Sequence, residues 1–326
     1  MKLAALLCWL GMLALAWAQQ GRSVAVGLQA GGTLSWMAYA MQQYDLPREL
    51  GFQLKTVPFA NKDAARLALR ANEIQVVVDD FVEVQALRAR GFLVQAIHPY
   101  SLNVGGVVVP SNASIRTGAD LRGRTVGVTS LTDKTFILLR AYLRQKFGFD
   151  PLRESRVIAT GSPLMAELLE RGQLEAALPL WHHIARMEAT GKYRELITNQ
   201  AILKELGLPS DIPQLFVIAR EDADPKALEL FLKALRMAAE RMKRDDRIWS
   251  GILEQRLYAL PDPSQLPNIR ARWEKGLPQR WDASTLVGMR LFVERLLAVA
   301  GSEVVGVERF DPRAFSLQYS GLFAGR

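Results

Sequence analysis

The chain has 326 residues, a formal net charge of +8 and 49% hydrophobic residues. Its positive residues alternate with acids, as in RMKRDDR (241–247) and RARWEKG (270–276), which is typical of solvated helix faces rather than of a nucleic-acid-binding surface. Composition and charge therefore argue against a nucleic-acid partner, and the length allows two lobes of ordinary domain size.

The N-terminus has the pattern of a secretory signal peptide. Lys2 is followed by an uncharged apolar run that ends in Ala16-Trp17-Ala18, a small-x-small cleavage pattern. We expect residues 1–18 to be removed and the mature protein to be periplasmic. An uncleaved anchor helix is the alternative, although the run is short for a membrane span. Cleavage would also remove Cys8, the single cysteine, and leave no thiol nucleophile and no cysteine-based metal site.

Beyond residue 22, apolar strand-like runs alternate with amphipathic helix-like runs. A first series predicts strands at 23–29, 52–59 and 75–81, helices at 33–44, 62–72 and 82–91, and extended segments at 92–100 and 104–110. A second series predicts strands at 124–130, 155–162 and 175–181 and helices at 134–148, 164–173 and 182–191. Continuous apolar strands that are each followed by an amphipathic helix favour a parallel sheet covered on both faces.

The two series coincide when they are shifted by about 100 residues. Val26-Gly27 then falls on Val126-Gly127, and residues 67–81 fall on residues 167–181. A two-copy repeat of this length is a domain repeat. The sequence thus predicts an α/β fold with two similar three-layer α/β lobes and a ligand cleft between them.

Two apolar segments are expected to join the lobes. VVVP (107–110) leads into the second series, and LFVIA (215–219), which follows it, is expected to run back beside VVVP. These crossovers would form a hinge, with lobe 1 at 22–109 and 216–326 and lobe 2 at 110–215. The tail predicts helices at 225–245, 246–257, 267–277 and 283–301.

In open α/β sheets, ligands bind beyond the carboxyl ends of the strands, so the repeat nominates paired loops that face each other. Trp36 and Trp181 are expected as apolar walls, and Asp79 or Asp80 as an acceptor of ligand hydrogen bonds. The candidates in the first lobe are Gly31, Gly32, Thr33, Ser35, Trp36, Asn61, Asp79 and Asp80. Those in the second lobe are Thr129, Ser130, Thr132, Gly161, Ser162, Trp181 and His182.

Ser130 and Asp133 precede a predicted helix and allow two interpretations. As a capping box, they satisfy the helix N-terminus and nothing more. A helix N-terminus also offers unpaired N–H groups and a positive dipole end to an anionic or carbonyl group. Gly31-Gly32-Thr33 occupies the matching position of the repeat, and two such turns favour a ligand clamp.

No catalytic or metal-binding motif stands out. Of the three histidines, His182 and His183 are adjacent, whereas metal ligands on one helix face require i,i+3 or i,i+4 spacing. The sequence lacks H-E-x-x-H, G-x-S-x-G and a Walker loop, and the Gly31-Gly32 turn lacks G-x-G-x-x-G. We therefore expect neither catalysis nor a cofactor nor a metal ion.

These motifs resemble those of the periplasmic solute-binding proteins of ABC importers for sulfonates, taurine, nitrate and thiamin precursors. The resemblance spans roughly residues 23–222 and is carried by VGLQAGGTLSWMAYA, NKDAARLALRANEIQVVVDD, MAELLERGQLEAALPLWHHIARMEATG and the run I-x-x-x-x-D-L-x-G-x-x-V-G-V at 115–128. It implies two lobes that close on a small molecule, an inner-membrane ABC permease as partner, and ligand contacts from the turns at 30–35 and 129–132.

One departure from the family pattern concerns the loop at Trp181. Most members have an acidic residue and a proline after this tryptophan, whereas His182-His183 follow it here. A related thiamin-pyrimidine synthase has a cysteine-rich signature that this chain lacks, which argues against that enzyme.

The sequence is therefore interpreted as a monomeric binding protein for a small-molecule ligand; a secreted α/β enzyme with an unrecognised site and a solute sensor are the alternatives. Asp79 and Asp80 would repel a bound anion, because like charges repel strongly in a partly dry site. Lys62 and Lys134, the nearest cations, are expected at solvent-facing helix starts. We thus expect an organic ligand with one anionic or carbonyl end and one donor, rather than a bare inorganic anion.

Overall fold

The computed structural model describes residues 22–102 and 105–323. The predicted signal peptide lies outside the described residues. Among the described helices, none has the length and apolarity needed to cross a membrane.

The first lobe is built on a five-stranded sheet with the strand order β2-β1-β3-β10-β4. Strand β1 runs parallel to β2 and β3, whereas β10 runs antiparallel to both β3 and β4. The strands are β1 (Ser23–Gln29), β2 (Gln53–Phe59), β3 (Val76–Asp80), β4 (Val94–Ser101) and β10 (Leu215–Arg220).

The second lobe repeats this arrangement, with the strand order β7-β6-β8-β5-β9. Strand β6 runs parallel to β7 and β8, and β5 runs antiparallel to β8 and β9. The strands are β5 (Gly106–Pro110), β6 (Thr125–Val128), β7 (Arg156–Ala159), β8 (Ala176–Leu178) and β9 (Tyr193–Thr198). The predicted two-lobe α/β fold and its repeat are confirmed, but each sheet is mixed rather than parallel.

The sheets are mixed because each lobe receives one strand from across the hinge. Strand β10 returns from the second lobe and inserts antiparallel between β3 and β4, while β5 leaves the first lobe and inserts between β8 and β9. The expected pairing of LFVIA with VVVP is wrong, since these segments are β10 and β5 and lie in different sheets. The change of sheet occurs before Gly106, so the lobe boundary predicted at residue 109 falls inside β5.

Equivalent glycines in β1 and β6 allow close packing at equivalent places of the two sheets. A Cβ atom at Gly27 would lie 2.6 Å from a side-chain carbon of Ile74, and one at Gly127 would lie 2.6 Å from Leu174. Both neighbours are fully buried. Gly27 therefore makes room for the apolar residue that precedes β3, and Gly127 for the one that precedes β8.

Helices cover both faces of each sheet. Those of the first lobe are α1 (Leu34–Gln43), α2 (Leu46–Leu50), α3 (Lys62–Arg70) and α4 (Phe81–Ala89). Those of the second lobe are α5 (Lys134–Phe147), α6 (Pro151–Glu154), α7 (Ser162–Glu170), α8 (Trp181–Ala189) and α9 (Asn199–Glu205). Helices α3, α5, α7 and α8 begin at the carboxyl ends of their preceding strands, which brings their N-termini to the space between the sheets.

The C-terminal helices contact both lobes. Helix α10 (Pro225–Met242) packs against α1 and α2 of the first lobe, and α11 (Asp246–Glu254) and α12 (Leu266–Lys275) extend the same core. Helix α13 (Ala283–Ala300), followed by α14 (Ser302–Val305), packs against α5 of the second lobe. Phe292 of α13 also meets Phe81 of the first lobe, with ring centroids 5.1 Å apart. The tail thus connects the outer surfaces of the two lobes.

We predict that Phe292→Ala lowers the free energy of unfolding by about 3–5 kcal/mol, because it leaves a cavity beside Phe81 in a fully buried site. Leu291→Ala is the matched control; Leu291 is 51% exposed, and its replacement should change stability by less than about 0.5 kcal/mol. Urea unfolding measures both values, and equal effects of the two substitutions would contradict the packing of α13.

Candidate ligand-binding site

A narrow cavity lies where the carboxyl ends of the strands from the two sheets approach each other. Its lining includes Thr33, Asp79 and Lys134 from strand ends and helix starts, together with Trp181 and His182. The cavity volume is about 60 Å³, which is room for a few water molecules and shows that the lobes are close together here. The site therefore has the position that the repeat predicts.

The turn after β1 presents backbone groups to this cavity. Gly31 adopts a left-handed conformation with φ of 72°, and the Gly32 N–H donates to the carbonyl of Gln29. Thr33 precedes α1 without capping it through its side chain, and its hydroxyl lies 3.0 Å from the Tyr100 hydroxyl. The Ser35 hydroxyl is occupied locally, because it donates to the carbonyl of Gly32.

The matching turn after β6 uses its side chains to contact the first lobe. Asp133, not Ser130, caps α5 and accepts a hydrogen bond from the Thr135 N–H, so the Ser130 capping box is wrong. The Ser130 hydroxyl instead donates to Asp63 at 3.2 Å. Arg66 donates to the Thr132 hydroxyl at 2.8 Å. Both hydroxyls expected to bind ligand therefore connect the lobes in this structure.

A buried ionic cluster forms the floor of the site. The Lys62 ammonium lies 2.8 Å from Asp79, 2.7 Å from Asp80 and 2.9 Å from Asp133, and thereby joins two strand-end carboxylates of the first lobe to one of the second. Arg66 makes a bidentate contact with Asp79 through nitrogens at 2.6 and 3.0 Å. Because every member is nearly inaccessible to solvent, each charge depends on the others for compensation.

The cluster sets the protonation of its carboxyl groups. Burial by itself would raise the pKa of Asp79, but the Arg66 and Lys62 cations outweigh it and lower this pKa to about 2. In the same way, burial opposes the charge of Asp133, yet Lys62 and Lys134 hold the pKa of this carboxyl well below its usual range. Both groups are therefore ionised at neutral pH.

Glu83 is the exception in the cluster. Burial raises its pKa to about 7, and Asp79 and Asp80 add to the shift although Arg66 opposes it. Its carboxylate lies 3.3 Å from Arg66. At neutral pH, Glu83 is therefore protonated in part of the molecules and ionised in the rest. The net charge of the cluster thus changes near physiological pH.

Lys62 and Lys134 do not face solvent, contrary to the sequence-based expectation. Their exposed fractions are 6% and 4%, because the N-termini of α3 and α5 meet between the lobes. Lys62 is fully paired, whereas Lys134 makes no side-chain hydrogen bond or ion pair with any residue in the described part of the chain. Asp79 and Asp80 are neutralised by Lys62 and Arg66, so the predicted repulsion of a bound anion loses its basis.

The two strand-end aspartates have different roles. Asp79 lines the cavity, while Asp80 is fully buried and caps α4 by accepting hydrogen bonds from Val82 and Glu83. Asn61 caps α3 in the same way, accepting from Ala64, and is exposed.

The remaining candidates also differ in their surroundings. Gly161 precedes α7, and the buried Ser162 hydroxyl accepts a hydrogen bond from the Leu180 N–H. Thr129 is buried, and its hydroxyl has no partner among the described residues.

The two tryptophans expected as apolar walls differ. Trp36 lies in the core of the first lobe with no exposed surface, whereas Trp181 is half-buried and lines the cavity. Trp36 is inaccessible because Trp249 and Tyr258 of the C-terminal segment pack against it.

The histidine pair provides another contact between the lobes. His182 Nε2 donates to the carbonyl of Gly31 at 2.6 Å, and the Tyr258 hydroxyl donates to the carbonyl of His182. Burial lowers the pKa of His182 to about 4 and that of His183 to about 2, so both are neutral at physiological pH. This loop therefore closes the cleft with neutral side chains.

Sequence reasoning missed that Lys62 and Arg66 together bind the strand-end aspartates, and that Tyr258 bonds to the His182 carbonyl. The two cations had a detectable signal, since they are four residues apart and lie on one face of a helix that starts at a strand end. Tyr258 had no signal, because it reaches the site from the C-terminal segment.

Two α/β lobes that exchange strands and enclose a cavity between them define the type II periplasmic binding protein fold. The chain belongs to the family described as "NMT1/THI5 like", whose sequence profile matches residues 39–246. This match confirms the resemblance that the sequence motifs carry.

Solved structures share the fold at low sequence identity. A protein of Bordetella bronchiseptica RB50 is 17% identical with a TM-score of 0.73, and 93% of this chain aligns with 96% of that one. The alkanesulfonate-binding protein SsuA from Xanthomonas axonopodis pv. citri, bound to MOPS, is 18% identical with a TM-score of 0.68 over 86% of this chain and 97% of its own. The nitrate-binding protein NrtA from Synechocystis PCC 6803 is 14% identical with a TM-score of 0.61 over 74% and 68%. No curated protein matches the sequence.

Replacement of Lys62 by methionine should destabilise the protein by about 3–5 kcal/mol, because it leaves three buried carboxylates without their shared cation. Lys146→Met serves as the control, since Lys146 pairs with Glu205 at the exposed surface and its loss should leave stability nearly unchanged. Chemical denaturation of both variants provides the measurement. A Lys62→Met protein as stable as the parent would show that the cluster is not closed around this ammonium.

Glu83 should make stability decrease as the pH rises. Its pKa is about 7 in the folded protein against an ordinary 4.5, so the folded state binds this proton more tightly than the unfolded state. The contribution is complete below about pH 4.5 and is lost as the pH passes through about 7.

Glu83→Gln removes this dependence. The unfolding free energy of the parent minus that of the variant should fall between about pH 5 and pH 7.5 and then level off. Subtraction cancels the opposite contribution of His182 and His183, whose pKa values are lowered. A difference that is flat across this range would refute the assignment.

Proposed function

We propose that this protein is an exported, periplasmic solute-binding protein that holds a small organic anion between its lobes and delivers it to an inner-membrane ABC permease without catalysis. The observation that carries the proposal is Lys134. Its ammonium is buried beside the interlobe cavity and has no hydrogen-bond or ion-pair partner in the described part of the chain.

A buried ammonium is costly when no counter-charge contacts it directly, and the nearby Asp133 carboxylate is already bound by Lys62. A ligand anion in the cavity supplies that charge. The same cavity is lined by Gly32 and Thr33 at the start of α1, where the helix dipole adds a favourable field for an anionic group. The neighbouring Asp79 does not oppose this, since Arg66 and Lys62 compensate it.

The contacts between the lobes support binding by closure. Lys62–Asp133, Arg66–Thr132 and His182–Gly31 all join groups on opposite sides of the cavity. A ligand can reach Lys134 only after such contacts separate, so we propose hinge motion between the lobe that holds the first sheet and the lobe that holds the second. The chain passes from one sheet to the other before β5 and before β10, and we propose that the hinge lies there.

The solved relatives support the class of ligand. SsuA proteins are described as binding alkanesulfonates and NrtA as binding nitrate, and both ligands are oxyanions. The apolar Trp181 beside the cavity favours an organic body over a bare inorganic ion. A sulfonate or carboxylate with a short alkyl or aromatic body thus fits the site best.

Lys134→Met should weaken binding of an alkanesulfonate about tenfold to a hundredfold, because a buried charge-assisted hydrogen bond contributes about 1.5–3 kcal/mol. Lys146→Met, at the exposed surface, is the control and should retain parental affinity. Calorimetry with ethanesulfonate, propanesulfonate, nitrate and bicarbonate provides the measurement.

Two outcomes would overturn the proposal. If the parent and the Lys134→Met variant bind the alkanesulfonate with equal affinity, Lys134 does not hold the anion. Conversion of a bound compound into product would identify an enzyme instead. Since the Lys134 side chain makes no hydrogen bond or ion pair with a described residue, thermal unfolding of the variant should stay close to that of the parent, and this measurement separates a binding defect from a folding defect.

A further inference from the structure

A second pocket adjoins the cavity beside Lys134. Three residues line both spaces, namely Thr33, Tyr100 and Trp181. The Thr33 and Tyr100 hydroxyls are 3.0 Å apart and belong to the first lobe, whereas Trp181 begins α8 of the second lobe. Separation of the lobes therefore moves Trp181 away from the other two residues, and the two spaces then become continuous.

The second pocket lies in the first lobe and is small and largely apolar. Its volume is about 60 Å³, which is room for a few water-sized groups, whereas benzene occupies cavities of about 150 Å³. The apolar lining comes from α1, α10, α12 and the segment after α12, through Met37, Leu235, Ala239, Trp273, Leu277 and Pro278. The pocket therefore suits a short alkyl segment better than an aromatic ring.

His98 is a deeply buried polar group in this pocket. It is 6% exposed, and neither of its ring nitrogens has a hydrogen-bond partner in the described part of the chain. Burial lowers the pKa of His98 to about 3; the Pro99 backbone opposes this shift only in part, and Arg236 adds to it. The imidazole is thus neutral at physiological pH, and its one donor and one acceptor nitrogen are both left unsatisfied.

An uncharged hydroxyl is the group that matches this imidazole. A hydroxyl can accept a hydrogen bond from the protonated ring nitrogen or donate one to the other nitrogen, so it suits either tautomer. Charged groups fit less well, because the neutral His98 supplies no counter-charge. A second anion would meet Glu240 in the lining, and an ammonium group would meet Arg236.

We propose that His98 binds a hydroxyl at the far end of the solute, so that the solute is an unbranched organic anion with a terminal hydroxyl. This inference rests on the proposed function, in which Lys134 holds the anionic end. The alkyl chain between the two ends lies against Trp181, which lines both spaces.

The position of His98 sets a minimum length for the solute. His98 does not line the cavity beside Lys134, whereas Tyr100, two residues further along β4, does. Two residues of a strand correspond to about 7 Å. A chain of about four or five carbons spans such a distance, and a two-carbon chain does not.

Matched pairs of sulfonates test the proposal, each pair differing in a terminal hydroxyl or a methyl group of similar size. The longer pairs are 4-hydroxybutanesulfonate with pentanesulfonate and 5-hydroxypentanesulfonate with hexanesulfonate. The short pair is 2-hydroxyethanesulfonate with propanesulfonate. Calorimetry compares the parent, His98→Leu and the control Gln95→Leu; Gln95 lies on the same strand and lines neither space.

We expect the parent to bind the hydroxy member of at least one longer pair about threefold to tenfold more tightly than the methyl member, which is the contribution of one hydrogen bond. His98→Leu should reverse this order, because a pocket without the imidazole favours the methyl group. Gln95→Leu should keep the parental order. For the short pair, the ratio of affinities should be the same in the parent and in His98→Leu.

Thermal unfolding of the three proteins distinguishes a binding role of His98 from a structural one. His98→Leu should unfold at a temperature close to that of the parent, because the substitution removes two buried nitrogens that have no partner among the described residues. The preference of the parent for the hydroxyl tests the proposal independently of how well the variant folds.

The outcomes separate this inference from the proposed function. If the parent prefers the hydroxy member of neither longer pair, or if a folded His98→Leu protein keeps the preference, the His98 site is refuted while anion binding at Lys134 stands. If no sulfonate binds the parent, or if Lys134→Met binds all of them as tightly as the parent, the proposed function fails and the His98 site fails with it.

Discussion

The arrangement of the cleft depends on one interaction: the Lys62 ammonium contacts carboxylates from both lobes. Asp79 and Asp80 end a strand of the first sheet, and Asp133 starts a helix of the second. Each of these charges would be strongly unfavourable if it were buried alone. They are compensated only when the lobes are close together, so the electrostatics of the cluster couple directly to the closed geometry. Arg66 extends this coupling, since it binds Asp79 on its own lobe and Thr132 on the other.

This coupling has a consequence for a binding protein. A cleft sealed by fully compensated charges would resist opening, whereas the Lys134 side chain has no hydrogen-bond or ion-pair partner in the described chain. Under the proposed function, Lys62 and Arg66 hold the lobes in register and Lys134 is the charge that meets the solute. Trp181, at the start of α8, lies beside the same cavity.

The exchange of strands explains how two similar lobes form one molecule. Each sheet is completed by a strand that the chain supplies after crossing from the other lobe, which ties the lobes together by two covalent connections close to the cleft. The histidines after Trp181 fit this architecture. His182, neutral at physiological pH, donates to the Gly31 carbonyl and so joins the second lobe to the first close to these connections.

The sequence by itself determined the order of strands and helices, the repeat and the family, because these depend on local hydrophobic periodicity and on motif spacing. The coincidence of Val26-Gly27 with Val126-Gly127 is an example, since both glycines lie in equivalent strands, β1 and β6, against an apolar neighbour. Only the tertiary structure decided that β5 and β10 insert antiparallel, because strand pairing between distant segments leaves no local signal. It also decided that Lys62 and Lys134 are buried, contrary to expectation. A lysine at a helix start is solvated unless other chain segments enclose it, and here the enclosing segments are about 50–70 positions away along the chain or come from the C-terminal tail.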